Sequence, residues 1–256
     1  MILAIDVGNS NIVIGCIDGD NISHKYRMET DTSKTEDEYA AGICQIMSLD
    51  AVGISAFAGA IISSVVPPLT EIIKAAVKRL TGLDALIVGA GLKTGLNIRI
   101  DNPAQLGSDL VATGVAAAAA YELPVIIFDM GTATTIGIVD GKANFIGGAI
   151  FPGVALSMDA LVSRTSQLPK VPIEAPARGI STNTVDCMKS GAIFGTAAMM
   201  DGMIDRFEKE LGVPARVVAT GGLSARVVPY CRHAIVHDET LLLRGLKILY
   251  EKNRKQ

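Results

Sequence analysis

Tryptophan is absent from this chain, histidine occurs three times, cysteine four times, and aromatic side chains make up only 4% of it. Cys16, Cys44, Cys187 and Cys231 are scattered, with no C-x-x-C pair and no Cys/His grouping at zinc spacing. That excludes a disulfide framework and a structural zinc site, and leads us to expect reduced thiols in a cytoplasmic protein. Positive charge is not in excess: 23 Lys and Arg stand against 26 Asp and Glu, for a formal charge of -3. With a pI near 5.6, the chain has no general attraction for nucleic acid or an anionic membrane. A small anionic ligand would need a local pocket of basic or N–H groups. Mean hydropathy is high at +0.40, yet the longest apolar stretch, 110–121, is interrupted by Thr113 and Gly114 and is too short to span a bilayer. A signal peptide is not expected, because the first apolar run begins at residue 2 and meets an acid at Asp6. Walker A and G-x-G-x-x-G nucleotide loops are missing as well.

What the chain has instead is a motif that occurs twice. An apolar run ends in Asp6-Val7-Gly8, followed by small polar residues, a β-branched run and Asp18-Gly19. Another ends in Asp129-Met130-Gly131, again followed by small polar residues, a β-branched run and Asp140-Gly141. The two Asp residues lie 123 positions apart, close to half of the 256 residues, as a duplicated strand-turn-strand hairpin would give. In each copy the first strand is apolar on both faces, as a buried α/β strand is, so its Asp sits at the carboxyl end. The glycine turns tightly, and the small residues after it offer N–H and O–H groups to phosphate oxygens while the Asp serves a metal ion.

Strands are predicted at 23–28, 57–66, 85–88 and 97–100 around helices at 35–49 and 69–80. Thr35 and Glu38 read as a capping box for the first of these. Ser108 or Asp109 is expected to cap a helix over 110–121. The second half replays the order, with strands at 125–129, 134–139 and 143–150 and a helix to about Val162. An extended, proline-bearing stretch follows at 164–183, then a long helix from 184 to Leu211 carrying Gly191, Gly195 and Gly202. A strand over 216–219 runs into Thr220-Gly221-Gly222, a turn whose N–H groups suit an anion. A strand at 234–237 and a final helix over 239–252 complete the chain. Abundant alanine and 26 glycines suggest close helix-sheet packing. His233 and His237 share i, i+4 spacing but fall on the strand side of this reading, so they are not expected to bind metal.

This order of motifs resembles the acetate and sugar kinase, Hsp70 and actin superfamily, and within it type III pantothenate kinase. The resemblance rests on Asp6-Val7-Gly8-Asn9-Ser10, Leu106-Gly107-Ser108-Asp109, Asp129-Met130-Gly131-Thr132-Ala133-Thr134, residues 147–153, Arg164-Thr165 with Leu168-Pro169, Asn183-Thr184 with Ser190-Gly191, and Ala219-Thr220-Gly221-Gly222. It implies an α/β protein of two ribonuclease-H-like, actin-like ATPase domains, 1–112 and 113–256, with a cleft between them. It also implies ATP-dependent phosphorylation of pantothenate in coenzyme A biosynthesis.

By the same resemblance Asp6, Val7, Gly8, Asn9, Ser10, Asn11, Ile12 and Val13 hold the ATP phosphates, Asp6 organises Mg²⁺, and Thr132 contacts ATP. Gly221 and Gly222 add a third nucleotide contact. Asp129 coordinates a monovalent cation, K⁺ or NH₄⁺. Asp109 is the general base, and Gly107, Ser108, Asp109, Leu110 and Thr184 contact pantothenate, with Thr184 reaching a site shared across a homodimer. One position departs from the family pattern: Leu110 stands where an Arg able to pair with the substrate carboxylate is usual, leaving Arg164, Arg99 or a partner-chain residue for that task. Two other readings are a kinase of the same fold acting on another small alcohol, and a non-enzymatic transcription accessory factor.

Overall fold

The computed structural model describes residues 1–254, which divide into two compact units. The first takes Met1–Gly95, Asp101–Ala116 and the chain from Thr240, and the second takes Leu96–Ile100 and Ala117–Glu239.

In the first unit, strands β1 (Ile2–Val7), β2 (Asn11–Asp18), β3 (Asn21–Glu29), β4 (Gly59–Ser64) and β5 (Leu86–Ile87) form a mixed sheet in the order β3-β2-β1-β4-β5. Strand alternation turns Leu3, Ile5 and Val7 to one face. There they share a core with Tyr39, Ile43 and Met47 of helix α1 (Glu36–Ser48) and Leu69, Ile73 and Val77 of α2 (Pro67–Thr81). Each such fully buried side chain contributes roughly 1.5–3 kcal/mol of transfer free energy. The capping box is present: the Thr35 side chain accepts from the Glu38 N–H and the Glu38 side chain accepts from that of Thr35. Helix α2 opens on Pro67-Pro68, where the missing N–H groups are not needed, and stops at Gly82 with φ +72°.

Against this unit's sheet lies the C-terminal helix Leu241–Asn253, and α3 (Ser108–Ala120) meets that helix. A β-carbon at Gly15 would come within 2.9 Å of the Leu243 side chain, one at Gly59 within 1.7 Å of the Tyr250 hydroxyl, and one at Gly245 within 1.9 Å of the Ala112 carbonyl oxygen. The close helix-sheet packing expected from composition is therefore located at Gly15 and Gly59, while Gly245 brings two helices together.

The second unit holds β6 (Asn97–Ile98), β7 (Val125–Met130), β8 (Ala133–Val139), β9 (Asn144–Pro152), β10 (Arg216–Thr220) and β11 (Ile235–His237), in the order β11-β10-β7-β8-β9-β6. Apart from β6, this is the order and direction of the first sheet. β7 runs antiparallel to β8 as β1 does to β2, and parallel to β10 as β1 does to β4. The duplication read from two Asp-x-Gly motifs is thus a duplication of topology.

The core of this unit joins Ile126, Phe128 and Met130 to Met158 of α4 (Val154–Arg164) and to Met200 and Ile204 of a later helix. The helix predicted from 184 to 211 is interrupted: α5 (Thr184–Ser190) and α6 (Thr196–Leu211) flank a π-helical turn, Gly191–Gly195. The Thr196 hydroxyl donates to the Ala192 carbonyl at 2.6 Å, competing for an oxygen that a regular α-helix would give to an N–H. Glycines at both ends let the turn widen. A short helix, α7 (Ser224–Val227), follows β10. Among the described residues, no helix is long and apolar enough to cross a membrane.

Candidate active site

Each unit carries one acidic bend. In the first, the Gly8 N–H donates to the Asn11 carbonyl at 3.0 Å, leaving Asn9, Ser10 and Asn11 exposed. The bend is braced from beyond β3: the Thr30 hydroxyl donates to the Gly8 carbonyl at 2.7 Å and the Thr30 N–H to the Ser10 carbonyl at 3.1 Å. Thr30 is set in turn by Tyr39, a fully buried residue whose hydroxyl donates to the Asp31 carbonyl and accepts from the Asp31 N–H. Val7 and Ile12 have their side chains in the apolar core, so their backbone is what they can offer a ligand. Val13 is partly buried.

The second bend is one residue tighter, closing from the Gly131 N–H to the Ala133 carbonyl at 3.0 Å. Two other backbone segments press against it. The Gly153 N–H donates to the Thr132 carbonyl at 3.1 Å, and a β-carbon at Gly153 would lie 2.3 Å from that oxygen. Gly221, at φ +92°, packs so closely that a β-carbon would lie 2.6 Å from the Met130 nitrogen. Thr132, Gly221 and Gly222 are therefore neighbours in one cluster of turns at the carboxyl ends of β7 and β10. Gly153 was not singled out as a site residue, although it lies in the 147–153 motif.

The two acids occupy matching register positions. Asp6 lies opposite Ser63 of β4, and Asp129 lies opposite Thr220 of β10. The Ser63 side chain is fully buried and donates to Asp6 Oδ1 at 2.8 Å. Ser63 was missed in the sequence; its only signal there is a hydroxyl at the end of an apolar run.

Asp109 sits in the first turn of α3, and its Oδ1 accepts from the Leu110 N–H at 2.8 Å. A β-carbon at Gly107 would fall 2.4 Å from that oxygen, so Gly107 leaves the space that the carboxylate fills. Burial pushes the Asp109 carboxyl up from its ordinary value, with N–H bonds from the helix start opposing. Position at a helix start suggests a readily ionised carboxylate, but desolvation outweighs it, making this a more basic carboxylate than an exposed one.

Ser108 does not cap the helix. Its hydroxyl donates to the Ser64 carbonyl and accepts from the Ser64 N–H, both at 3.0 Å, and lies 3.0 Å from the Ser63 hydroxyl. Leu110 is partly buried beside this turn. In the second unit, Thr184 is exposed as the first residue of α5, where Asn183 is the cap. Arg164 ends α4 and is exposed, and the Arg99 N–H donates to Phe145 at 2.7 Å.

The oxygen groups fit the cations in question. Among the described residues, no three His, Cys, Asp or Glu side chains converge to hold a metal. Mg²⁺ needs no such cage, since it takes one or two carboxylates and completes its shell with phosphate and water. Asp6, oriented by Ser63 at an exposed bend, offers one. Asp129, beside carbonyl-rich turns, offers oxygen donors of the kind hard cations take. The Nε2 of His233 lies within hydrogen-bond distance of Asp205 Oδ1, at 2.8 Å.

A family model for type III pantothenate kinase matches residues 2–206. A type III pantothenate kinase of Exiguobacterium sp. is 42% identical over 256 residues, covering 100% of each chain. Solved structures share the fold at lower identity. A Campylobacter jejuni protein named as a Baf family transcriptional activator matches with TM-score 0.60 and 20% identity, covering 98% of each chain. A Porphyromonas gingivalis protein named as an N-acetylglucosamine kinase matches with TM-score 0.52 and 11% identity, covering 99% of each chain. With its doubled sheet, paired acidic bends and full-length likeness, this chain belongs to the type III pantothenate kinase family.

Proposed function

We infer that this chain phosphorylates pantothenate with ATP to give 4′-phosphopantothenate, the first step of coenzyme A biosynthesis. Full-length identity of 42% to a type III pantothenate kinase is the observation that carries the reading. The bends and the half-buried Asp109 supply matching chemistry.

Phosphoryl transfer to an alcohol depends mostly on positioning and charge neutralisation. Asp6 and the backbone of residues 7–13 hold the phosphates and Mg²⁺, which when bound neutralises the charge that develops on them. Thr132, Gly221 and Gly222 contact the nucleotide, and Asp129 holds the monovalent cation, K⁺ or NH₄⁺. Asp109 accepts the proton of the attacking hydroxyl, helped by the burial that raises its basicity. Gly107, the backbone of Ser108, Leu110 and Thr184 complete the pantothenate site. The reading divides the chain into 1–112 and 113–256, whereas the compact units described above group the chain from Thr240 with the first.

The reading includes a homodimer in the cytoplasm. Ile150, Leu156 and Leu161 are 76%, 48% and 45% exposed, apolar surface that a second copy would cover. The four cysteines are all free thiols, as a reducing compartment would keep them.

Leu110 favours one rival, a kinase for another small alcohol. ATP consumption measured across a panel of small alcohols, with Mg²⁺ and K⁺ present, separates the two. The reading predicts that pantothenate gives the highest kcat/KM by at least tenfold. A panel member without the carboxylate outperforming it would replace the assignment.

A further inference from the structure

Burying a hydroxyl in a sheet is unfavourable unless it finds partners. Strand β4 is otherwise apolar and buried as far as Ile62, yet it ends on Ser63, fully buried, and Ser64. Both serines are spoken for. Ser63 donates to Asp6 Oδ1 at 2.8 Å and lies 3.0 Å from the Ser108 hydroxyl. That hydroxyl accepts from the Ser64 N–H, and its single proton is shared between the Ser63 oxygen and the Ser64 carbonyl, each 3.0 Å away.

The position explains why a hydroxyl is used. On this side of β4 the ladder to β5 ends where the Val88 N–H donates to the Ile62 carbonyl at 2.8 Å. Two residues on, Ser64 turns its N–H and C=O the same way with no strand beside it. Ser108, the first residue of α3, stands in for that strand and fastens the helix start to the end of β4. A bare chain end would leave buried backbone groups unpaired, at about 1–3 kcal/mol each. The repeat offers an independent comparison: the register position opposite Asp129, which matches Ser63, is again a β-hydroxyl residue, the 4% exposed Thr220.

We infer that Ser63 and Ser108 are positioning residues of the phosphoryl transfer, a two-hydroxyl strut that holds the Asp6 carboxylate and the first turn of α3, with Asp109, in one frame. Neither serine needs to touch a substrate for this. The inference deepens the kinase reading above and rests on it for the roles of Asp6 and Asp109. It also gives Ser108 a different task from a pantothenate contact, since its hydroxyl is turned to β4.

The test uses the full chain with Ser63→Ala, Ser108→Ala, Ser63→Thr and the double alanine variant. Binding of ATP with Mg²⁺ is measured by calorimetry without pantothenate, and kcat and KM are measured with it. Removing a group that orients a metal ligand commonly costs 10- to 100-fold. Ser63→Ala is therefore expected to weaken Mg²⁺-dependent ATP binding about tenfold, and Ser63→Thr, which keeps the hydroxyl as Thr220 does, to restore it within about twofold. Ser108→Ala is expected to lower kcat about tenfold while KM for pantothenate moves less than about twofold. The double variant should be no more than about twofold worse than the poorer single one, because the hydroxyls act as a unit. A raised KM with unchanged kcat in Ser108→Ala would make it a substrate contact and overturn the strut. So would wild-type nucleotide binding in Ser63→Ala, or equal losses in Ser63→Thr. If Ser63→Ala fails to fold, Ser108→Ala decides the matter by its kcat and KM alone. A wild-type protein that binds ATP with Mg²⁺ but ignores pantothenate would defeat the kinase reading while leaving the calorimetric comparison to judge the strut.

Discussion

Asp109→Asn is expected to lower kcat by about a hundredfold or more, the usual scale for losing a general base, while the protein folds as before. Asparagine keeps the oxygen that accepts from the Leu110 N–H and fits the same space over Gly107, so the start of α3 has no reason to move. What it lacks is the ability to take a proton. The pH dependence sharpens the test. Burial raises the Asp109 carboxyl above the ordinary aspartate range, so activity of the wild type should rise with pH through that elevated value as the carboxylate forms. The asparagine variant should lack this limb. Stability runs the other way. A carboxyl whose folded value is raised contributes most below its unfolded value, and that contribution is lost as pH climbs through the folded one. At pH above that folded value the native protein therefore holds a destabilising, half-buried charge, and there Asp109→Asn should melt at the wild-type temperature or above. Steady-state kinetics and thermal melting on the same preparation check both halves. Wild-type turnover in the variant would remove Asp109 from the reaction.

Asp6→Asn is expected to reduce kcat/KM for ATP by about a hundredfold at a fixed Mg²⁺ concentration, on the scale of removing one electrostatic stabiliser of a transferring group. Asparagine can still accept the Ser63 hydroxyl at 2.8 Å, and the Gly8 to Asn11 closure does not involve the side chain, so the bend should persist. The negative charge alone disappears. Mg²⁺ titrations of turnover should therefore show a higher half-saturating concentration in the variant, with a melting temperature close to that of the wild type. A variant with unaltered Mg²⁺ dependence would mean that the ion is held elsewhere.

Much of the architecture was legible because it rests on local rules. Buried strands read as apolar runs, Thr35 and Glu38 announced a helix start, and Gly82 marked a helix end. Asp6 and Asp129 stood out because the same spacing of acid, glycine and small polar residues recurred. The features that escaped are those set by distant partners. Ser63 looked like the tail of a hydrophobic segment, and only the pairing of β1 with β4 brings it to Asp6. Ser108 has the identity of a cap, yet the unpaired end of β4 claims its hydroxyl. The π-helical turn at Gly191–Gly195 lies inside a stretch whose apolar spacing is helical throughout, so periodicity does not reveal it. The final helix was predicted to begin at 239 and begins at Leu241, a difference at an end where no side-chain cap fixes the boundary.

The proposed function uses one hairpin twice, its first copy for Mg²⁺ and its second for a monovalent cation. The most direct measurement is turnover of the wild type and of Asp129→Ala with saturating pantothenate, ATP and Mg²⁺, titrated with KCl or with NaCl at matched ionic strength. The account predicts a wild-type rate that rises with K⁺ well above its value in Na⁺, and an Asp129→Ala rate that is the same in both salts. An Asp129→Ala protein that keeps the wild-type ratio between the two salts would contradict it.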